Sequence, residues 1–537
     1  MPHLKRPRLR LTLTALLLAG VAAFGSVGGA EAQVTAYKQA VAEASYGDDG
    51  VAAFYRKNGY QPVWTGEGAE FTARRAALIE ALSMAEVHGL PAGRYDIEAL
   101  RAQMASARTT RDMGLVEVAL SREFARFARD LQTGLLTPSQ IDDGMVREVE
   151  RRGAEVYLTE LQASQPARYM RGLAPDTAQY RALLKLKLDL EHALATGGWG
   201  PTVSGGKLEP GNSGPRVVAL RNRLIAMGYM ERSAVASYDG TLQKAVQAFQ
   251  LAHGLEPDGV AGDGTLDEIN KSVADRLKSV IVGLERERWL PRDRGERHIL
   301  VNQTDFTAKI VDHGRVTFET RSVIGKNVSD RRSPEFSDEM EHMVINPSWY
   351  VPRSIITKEY LPKLRANPNA VRHLEITDSR GRQVNRGAVD FSQFSSRSFP
   401  FAMRQPPGKS NALGLVKFMF PNKYNIYLHD TPQKHLFARE VRAYSHGCIR
   451  LAQPFEFAYA LLALQETDPK AFFHNVLNTG RETKVDLERH VPVHIIYRTA
   501  VVDDRGQPGY RRDVYGRDAK IWDALSRAGV VLSAVQG

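Results

Sequence analysis

The spacing of apolar residues divides the chain into a helical first part and a later part made of short strands. Between about residues 35 and 200, apolar positions recur every three or four residues, as in helices that bury one face. The clearest stretches are residues 41–46, 71–87 and 115–130. Glycine and proline interrupt them, for example at Gly89-Leu90-Pro91. The pattern predicts an α-helical scaffold domain over residues 33–205.

A segment rich in glycine, proline and serine, residues 197–215, precedes a compact helical module. Two short amphipathic helices are predicted there from these apolar positions: Val217, Leu220 and Leu224, then Leu242, Val246 and Phe249. The order of these helical segments resembles that in the small three-helix peptidoglycan-binding module. Any small helical bundle would share the pattern. We expect this module to occupy residues 206–270 as an insertion. An amphipathic helix within residues 271–296 would then return to the scaffold.

From residue 297 onward, short runs of β-branched and aromatic residues alternate with turns, which predicts a mainly β domain over residues 297–500. The expected strands are residues 298–302, 307–311, 316–323, 343–346, 415–420, 425–428 and 493–497. A long polar segment, residues 358–410, is predicted to be a mobile helical lid inserted in this domain. A C-terminal extension is expected over residues 501–537. A strand-like run at 492–502, which ends at its start, and another at 510–515, within it, are expected to extend the β domain.

Length and charge narrow the class of protein. With 537 residues the chain is too long for one core, and about three or four domains are expected. Residues 1–32 predict a signal peptide, because basic residues precede the apolar run 11–24 and the small-x-small site Ala30-Glu31-Ala32. Retention of this segment as a membrane anchor is the alternative. For an exported chain of net charge +11, we expect cell-wall carboxylates or acidic lipids as partners and not nucleic acid.

The single cysteine, Cys448, carries the strongest chemical signal. An exported chain with one thiol forms no internal disulfide, so nucleophilic chemistry is the main hypothesis for it. The alternative is a small buried apolar side chain. Cys448 lies in Ser445-His446-Gly447-Cys448-Ile449-Arg450, nineteen positions after His429. That separation is enough for the chain to leave one strand and return beside it.

These residues suggest roles in acyl transfer. A thiol needs a base, and His429 at the end of a predicted strand is the preferred candidate for general base and acid. His446 is a rival base but lies only two residues from the thiol, so a supporting role is expected. The backbone N–H groups of Gly447 and Cys448 are the predicted oxyanion donors. Either Asp430 or a backbone carbonyl could orient the His429 ring.

His429 and the Ser445–Arg450 motif together resemble the signature of the YkuD-type L,D-transpeptidase catalytic domain. Two further sequence segments support the resemblance: Asn346-Pro347-Ser348-Trp349-Tyr350-Val351-Pro352-Arg353, and Arg404-Gln405-Pro406-Pro407-Gly408. With a helical scaffold and an inserted binding module, the whole chain resembles the large YcbB-type enzymes. Arg450 departs from the commonest form of the motif, which has asparagine there.

The resemblance implies a periplasmic enzyme that forms 3→3 cross-links in peptidoglycan through a cysteine acyl-enzyme, with release of D-alanine. It implies no cofactor and no metal. The expected partners are peptidoglycan stem peptides, with other cell-wall synthases as further candidates. The candidate substrate-binding residues are Trp349, Tyr350, Arg353, Arg404, Ser445 and Arg450. The alternatives are an L,D-carboxypeptidase, a lipoprotein-anchoring acyltransferase and a non-catalytic peptidoglycan-binding protein.

Overall fold

The computed structural model describes residues 35–532, so the predicted signal peptide lies outside the described residues. The chain forms two compact units. The first contains the residues up to Leu135, Glu150–Asp176 and Ala528–Val531, and the second contains Leu136–Val149 and Thr177–Arg527. Among the described residues, none of the helices combines the length and the apolar character needed to cross a bilayer.

The first unit is helical, as the spacing of its apolar residues predicts. Its helices are residues 35–45, Asp49–Lys57, Ala69–Ser83, Ile97–Ser106, Thr110–Thr133, Ala154–Gln162 and Pro166–Arg171, with a 3₁₀ turn at Ala92–Arg94. The longest helix begins at a capping box made by Thr109 and Asp112. Inside this unit the buried Glu117 carboxylate accepts hydrogen bonds from the backbone N–H groups of residues 63–65 and from the Tyr55 hydroxyl. These bonds offset the cost of burying a charge.

The second unit also begins with helices: Pro138–Ile141, Ala178–Ala195, Pro215–Ala226, Gly240–Ala252, Asp263–Ile269 and Val273–Trp289. All six apolar positions used to predict the small module are fully buried in one cluster. The helix Val273–Trp289 packs along Ala178–Ala195. This helix therefore packs on the last helix of the predicted scaffold segment. That last helix belongs to the second unit, together with the β domain. The predicted domain boundaries stay predictions.

The β domain is built on one nine-stranded sheet. Its strands are β1 Arg297–Asn302, β2 Thr307–Asp312, β3 Arg315–Gly325, β4 Phe336–Ile345, β8 Val416–Met419, β9 Leu428–His429, β10 Ala443–Ser445, β11 Ile449–Leu451 and β12 Thr483–Ile496. Their order is β10-β3-β11-β9-β8-β4-β12-β1-β2, and β3 also pairs with β2. That second pairing closes eight strands into a ring, which removes the exposed sheet edges.

Alternate residues of these strands fill the interior of the ring. Fully buried members include Ile299, Met343, Phe418, Leu428 and Ile449. The helices Pro454–Leu462 and Pro469–Asn478 complete this apolar core with aromatic and aliphatic side chains. The apolar residues of these strands therefore point into the ring, and the residues between them lie on its outer surface.

The inserted lid is a small packed subdomain. Strands β5 Trp349–Tyr350, β6 Glu375–Thr377 and β7 Ala402–Gln405 form a three-stranded sheet in the order β5-β7-β6. Its helical turns are Arg353–Ile355, Ile356–Tyr360, Leu361–Ala366, Arg386–Ala388 and Phe391–Gln393. The subdomain has its own apolar cluster, which includes Leu361, Leu364, Phe391, Phe399 and Met403. The lid is thus partly β, and its sheet begins before the predicted start at residue 358.

The C-terminal extension differs from the prediction. Strands β13 Ala500–Val502 and β14 Pro508–Tyr510 pair only with each other and do not join the main sheet. The predicted strand at 510–515 ends at Tyr510, and a helix, Arg517–Arg527, follows where none was predicted. Within the second unit, Arg511 donates to the Ala252 carbonyl and Arg276 lies over the Tyr510 ring at 4.4 Å. The hairpin therefore packs on the small helical module.

Candidate active site

The register of two neighbouring strands places the predicted nucleophile and base on one face. Strands β9 and β11 are parallel, with Leu428 opposite Ile449 and His429 opposite Arg450. Leu428 and Ile449 are fully buried inside the ring. Because side chains alternate along a strand, His429 and Cys448 both face outward. Cys448 precedes Ile449, so it is the diagonal neighbour of His429, at a separation that side chains can bridge.

A backbone carbonyl orients the His429 ring. Its Nδ1 is hydrogen-bonded to the main-chain oxygen of Asp430. A carbonyl can only accept, so Nδ1 carries the proton and Nε2 keeps its lone pair. The Asp430 carboxylate lies elsewhere, where it accepts from the Leu415 and Thr431 N–H groups at 2.9 and 2.7 Å and from Lys434 Nζ at 2.6 Å. Of the two predicted orienters, the structure therefore favours the carbonyl.

Burial keeps both groups uncharged at neutral pH. The pKa of His429 is lowered to about 3, first by burial and then by the positive charge of Arg450, against the opposing effect of nearby carbonyls. The pKa of the Cys448 thiol is raised to about 11 by burial, although the Tyr427 N–H and hydroxyl and Arg450 work against the rise. The resting site thus holds a neutral thiol, which donates to the Asn425 carbonyl at 3.5 Å, and a neutral imidazole on the same face of the sheet.

The turn before the thiol uses most of its backbone hydrogen bonds internally. Gly447 has φ +120°, a conformation that favours glycine. Its N–H donates to Ser445 Oγ at 3.1 Å, and that hydroxyl donates to the Cys448 carbonyl at 2.5 Å. The Cys448 N–H has no acceptor among residues 35–532. Of the two predicted oxyanion donors, the Cys448 N–H is therefore available, whereas the Gly447 N–H is held by Ser445.

The side chain of His446 contacts the lid. Its Nε2 lies 2.6 Å from Glu359 Oε1, and Glu359 also accepts from Arg331 Nη2 at 2.8 Å. Glu359 belongs to the lid segment Ile356–Tyr360. The contact fits the supporting role predicted for His446 and joins the cysteine motif to the lid.

Comparison with known domain families agrees with this geometry. The L,D-transpeptidase catalytic domain model, YkuD, matches residues 296–495. Residues 296–495 are thus similar to the L,D-transpeptidase catalytic domains of the YkuD family. A "Scaffold domain" model matches residues 49–186, and a "Putative peptidoglycan binding domain" model matches residues 213–269. The multidomain architecture predicted from the sequence is thereby confirmed.

Individual proteins that are similar to this chain are also named as L,D-transpeptidases. A curated protein of Haemophilus influenzae, "Putative L,D-transpeptidase", is 32% identical over 237 residues, which cover 43% of this chain and 47% of the relative. The match therefore spans about half of that relative's length. Solved L,D-transpeptidase structures from Xylanimonas cellulosilytica and Stackebrandtia nassauensis align at 15% and 14% identity, over 55% of this chain and 100% and 97% of theirs. Their TM-scores are 0.17 and 0.21, and the assignment does not depend on them.

The arginines predicted to bind substrate in this domain already have partners. Arg404 donates to Glu375 Oε2 at 3.0 Å and to Ser348 Oγ at 2.8 Å. Arg353 donates to the carbonyls of Phe399 and Phe401, which belong to the lid. Both guanidinium groups therefore hold the lid subdomain together, and a substrate carboxylate would have to compete with these contacts.

The other substrate-binding candidates occupy different environments. Trp349 is buried in the lid core, whereas Tyr350 is 65% exposed beneath the guanidinium of Arg404. Arg450 faces the same side as Cys448 and donates to Gln433 Oε1 at 2.6 Å, while its buried Nε has no partner among the described residues. Tyr350 thus offers exposed surface, whereas Trp349 is part of the lid core, and their roles in substrate binding stay predictions.

Three residues at the site were missed in the sequence. Tyr427 lies on the outward face two positions before His429, where strand alternation would have placed it. Glu359 lies 87 positions before His446 and Ser333 lies 114 positions before Gly447, so no local pattern marks them. Among the described residues there is no group of three histidine, cysteine or acidic side chains that could hold a metal ion.

Proposed function

We propose that this protein is an L,D-transpeptidase that forms 3→3 cross-links in peptidoglycan through a thioester on Cys448. The observation that carries the proposal is the β9–β11 register, which puts the thiol and the His429 ring on one outward face. The unprotonated Nε2 of His429 and the unpaired N–H of Cys448 supply the base and an oxyanion donor. The matching catalytic-domain model supports the same reaction class.

Acylation begins when the sulfur of Cys448 attacks the carbonyl carbon of the third stem residue, at the L-centre of diaminopimelate. The thiol proton passes to His429 Nε2, and the Cys448 N–H donates a hydrogen bond to the developing oxyanion. The C–N bond to D-alanine then breaks, and the protonated His429 returns its proton to the departing amine. A thioester and free D-alanine result.

Deacylation repeats these roles with a second stem peptide. The side-chain amine of its diaminopimelate attacks the thioester carbonyl, and His429 takes the proton that the amine loses. The C–S bond breaks, the sulfur regains a proton, and the new amide is the 3→3 cross-link. A lid that excludes water favours the amine as acceptor over hydrolysis.

The remaining domains favour action at the cell wall. The module at residues 213–269 would hold the enzyme on peptidoglycan, and the net charge of +11 suits a carboxylate-rich substrate. We therefore place the protein outside the cytoplasm, in the periplasm, in agreement with the signal peptide predicted over residues 1–32. Other cell-wall synthases are proposed partners.

Incubation of the purified protein with disaccharide-tetrapeptide, followed by mass spectrometry of products and of Cys448, tests the proposal. We expect a dimer that has lost one D-alanine, and a Cys448→Ala variant that forms no acyl-enzyme yet still binds sacculi. A Ser322→Ala variant is the matched control, because Ser322 is a buried residue of β3 whose hydroxyl has no partner among the described residues. Acylation that survives in Cys448→Ala would refute the catalytic assignment.

Other outcomes of this experiment select the alternatives. Tripeptide as the sole product would identify an L,D-carboxypeptidase. A thioester that reacts only when a lipoprotein amine is added would identify an anchoring enzyme. Wall binding without any acyl-enzyme in the wild-type protein would identify a non-catalytic peptidoglycan-binding protein.

A further inference from the structure

The peptide bond between Gly447 and Cys448 is fixed from its carbonyl side. Ser333 Oγ lies 2.6 Å from the Gly447 carbonyl oxygen and 3.0 Å from the Gly325 nitrogen. The carbonyl can only accept and the N–H can only donate, so the hydroxyl must donate to Gly447 and accept from Gly325. Ser333 is fully buried, so this hydroxyl has no exchange with water.

This contact determines where the Cys448 N–H points. In a planar trans peptide the C=O and N–H bonds point in opposite directions. With the Gly447 carbonyl held by the buried Ser333, the Cys448 N–H must point away from it. The Gly447 N–H and the Cys448 carbonyl are both bonded to Ser445. Of the four backbone groups of these two residues, the Cys448 N–H alone stays without a partner among the described residues.

The C-terminal segment holds Ser333 in turn. The Tyr515 hydroxyl donates to the Gly325 carbonyl at 2.6 Å and accepts from the Ser333 N–H at 3.2 Å. Arg517 Nη2 donates to the Ser333 carbonyl at 3.0 Å. Tyr515 and Arg517 are both buried and lie beyond residue 495, where the match to the catalytic-domain model ends.

The packing around Ser333 leaves little room for adjustment. A Cβ atom on Gly325 would lie 1.9 Å from the Arg331 carbonyl oxygen, so the chain can approach this closely only because residue 325 is glycine. Every polar group of Ser333 (its N–H, carbonyl and hydroxyl) is bonded. A network in which each member is satisfied fixes the position of its atoms better than a single bond does.

We infer that Ser333 is a positioning residue that directs the Cys448 N–H as the oxyanion donor, and that Tyr515 of the C-terminal segment keeps Ser333 in place. The inference rests on the proposed function, since it assigns these residues to the acylation step. Neither side chain touches the substrate. Their effect is on the transition state, because the oxyanion exists only after the sulfur has attacked.

The test compares two reactions of Cys448 in the full protein. Acylation by a carbapenem, whose strained carbonyl mimics the donor, passes through an oxyanion, whereas alkylation by iodoacetamide does not. Loss of one oxyanion donor usually costs about 100- to 1,000-fold in rate, and misdirection should cost less. We expect Ser333→Ala to lower the acylation rate constant by about 10- to 100-fold, with carbapenem binding before acylation and alkylation by iodoacetamide both within about twofold of wild type.

Two further variants guard against a merely structural effect. Tyr515→Phe removes the hydroxyl that holds Ser333 and should lower acylation alone by about 3- to 10-fold, less than Ser333→Ala. It decides the question if Ser333→Ala does not fold. Ser322→Ala, measured alongside, should match wild type in both reactions.

The outcomes separate the inference from the proposed function. Equal acylation by wild type, Ser333→Ala and Tyr515→Phe would overturn the inference alone. A parallel loss of acylation and alkylation would also overturn it, because the thiol itself would then be disturbed. A wild-type protein that is alkylated but never acylated would overturn the proposed function and the inference together.

Discussion

His429 and Cys448 show how an outward-facing pair can stay uncharged. The His429 ring donates a hydrogen bond to the Asp430 carbonyl. The Asp430 carboxylate, which would favour the charged imidazolium, is bonded to Lys434 instead. The positive charge of Arg450 acts on both groups: it disfavours imidazolium and favours thiolate. Burial outweighs the second effect, so the thiol stays protonated until it attacks.

A pH titration of the thiolate by its ultraviolet absorbance tests this description. Because burial raises the pKa of Cys448 to about 11, the thiolate should be absent at neutral pH and should increase about tenfold per pH unit on the alkaline side. His429, with its pKa near 3, should add no step above acid pH. Cys448→Ala supplies the baseline. A full thiolate signal at neutral pH, lost near the ordinary pKa of histidine, would instead demonstrate a thiolate–imidazolium pair.

The position of Cys448 and His429 on neighbouring strands could be predicted, because the signals for it are local. Cys448 and His429 lie in short motifs, and strand alternation is enough to put them on one face. Ser333 could not be predicted in the same way, since its hydroxyl meets the Gly447 carbonyl only after β3, β10 and β11 have paired. The commitment of the Gly447 N–H to Ser445 also depends on the turn's side-chain rotamers, which no sequence pattern gives.

At the level of elements, the lid is fastened to the cysteine motif by charged side chains. Glu359 binds both His446 and Arg331, and Lys358 Nζ lies 2.5 Å from Asp330 Oδ2. These groups are partly or fully exposed, so each contact is weak. The lid core itself is apolar. Opening therefore requires breaking a few weak contacts while the subdomain stays folded.

Glu359→Gln should loosen the lid. The amide keeps the shape of the side chain but loses the charge that pairs with Arg331, so we expect a lid-opening equilibrium about two- to fivefold larger. Hydrogen exchange of the backbone at residues 353–366 should speed up, and the ratio of tripeptide to cross-linked dimer should rise because water reaches the thioester. Glu319→Gln removes an exposed pair with Lys309 in the main sheet and is the control. Unchanged exchange and product ratio in Glu359→Gln would contradict the role of this clasp.

The strands and the helix that were not predicted from the sequence were missed for different reasons. Strands β5, β6 and β7 have only two to four residues each, too short for alternation to be visible. The helix Arg517–Arg527 buries Ile521, Ala524 and Leu525, a spacing that does indicate a helix, so its signal was present. The polar character of residues 358–410 suggested a loose segment, because its apolar residues are scattered and meet only in three dimensions.

On the scale of the second unit, a buried ionic network ties the C-terminal helix to the catalytic domain. Arg286 bonds Glu335 at 2.7 Å and Asp518 at 2.9 Å, and Arg517 bonds Glu335 at 3.0 Å. Removing one partner from such a network typically costs about 3–5 kcal/mol, because a buried charge is left without its counterpart. The segment that holds Ser333 is therefore anchored by both hydrogen bonds and charge.

Buried neutral histidines give the same unit a predictable response to acid. His253, His429 and His494 are nearly inaccessible, and burial lowers the pKa of each: to about 3 for His429 and His494, and well below its ordinary value for His253. Below the ordinary histidine pKa, the unfolded chain binds protons that the folded state does not. Stability is therefore present above that pKa and is lost as the pH falls toward 3.

The size of the loss follows from the number of protons. Each histidine removes about 1.4 kcal/mol of unfolding free energy per pH unit once the unfolded form is protonated. Asp518 acts in the opposite direction, because burial raises its pKa to about 6 and its folded form takes up a proton first. Burial also lowers the pKa values of His298, His342 and His373, so histidines outnumber the one carboxyl and the unit loses stability as the pH falls between about 5.5 and 4.5.

Urea unfolding of this unit at several pH values measures the slope, with His494→Gln as the comparison. In the native fold His494 Nε2 bonds the Arg294 carbonyl at 3.1 Å and Nδ1 bonds Ser337 Oγ at 2.7 Å, and a glutamine amide offers the same donor and acceptor types. The variant should lose stability less steeply with acid, by about 1.4 kcal/mol per pH unit. A slope equal to that of wild type would mean that His494 is protonated within the folded protein, and that burial does not keep it neutral.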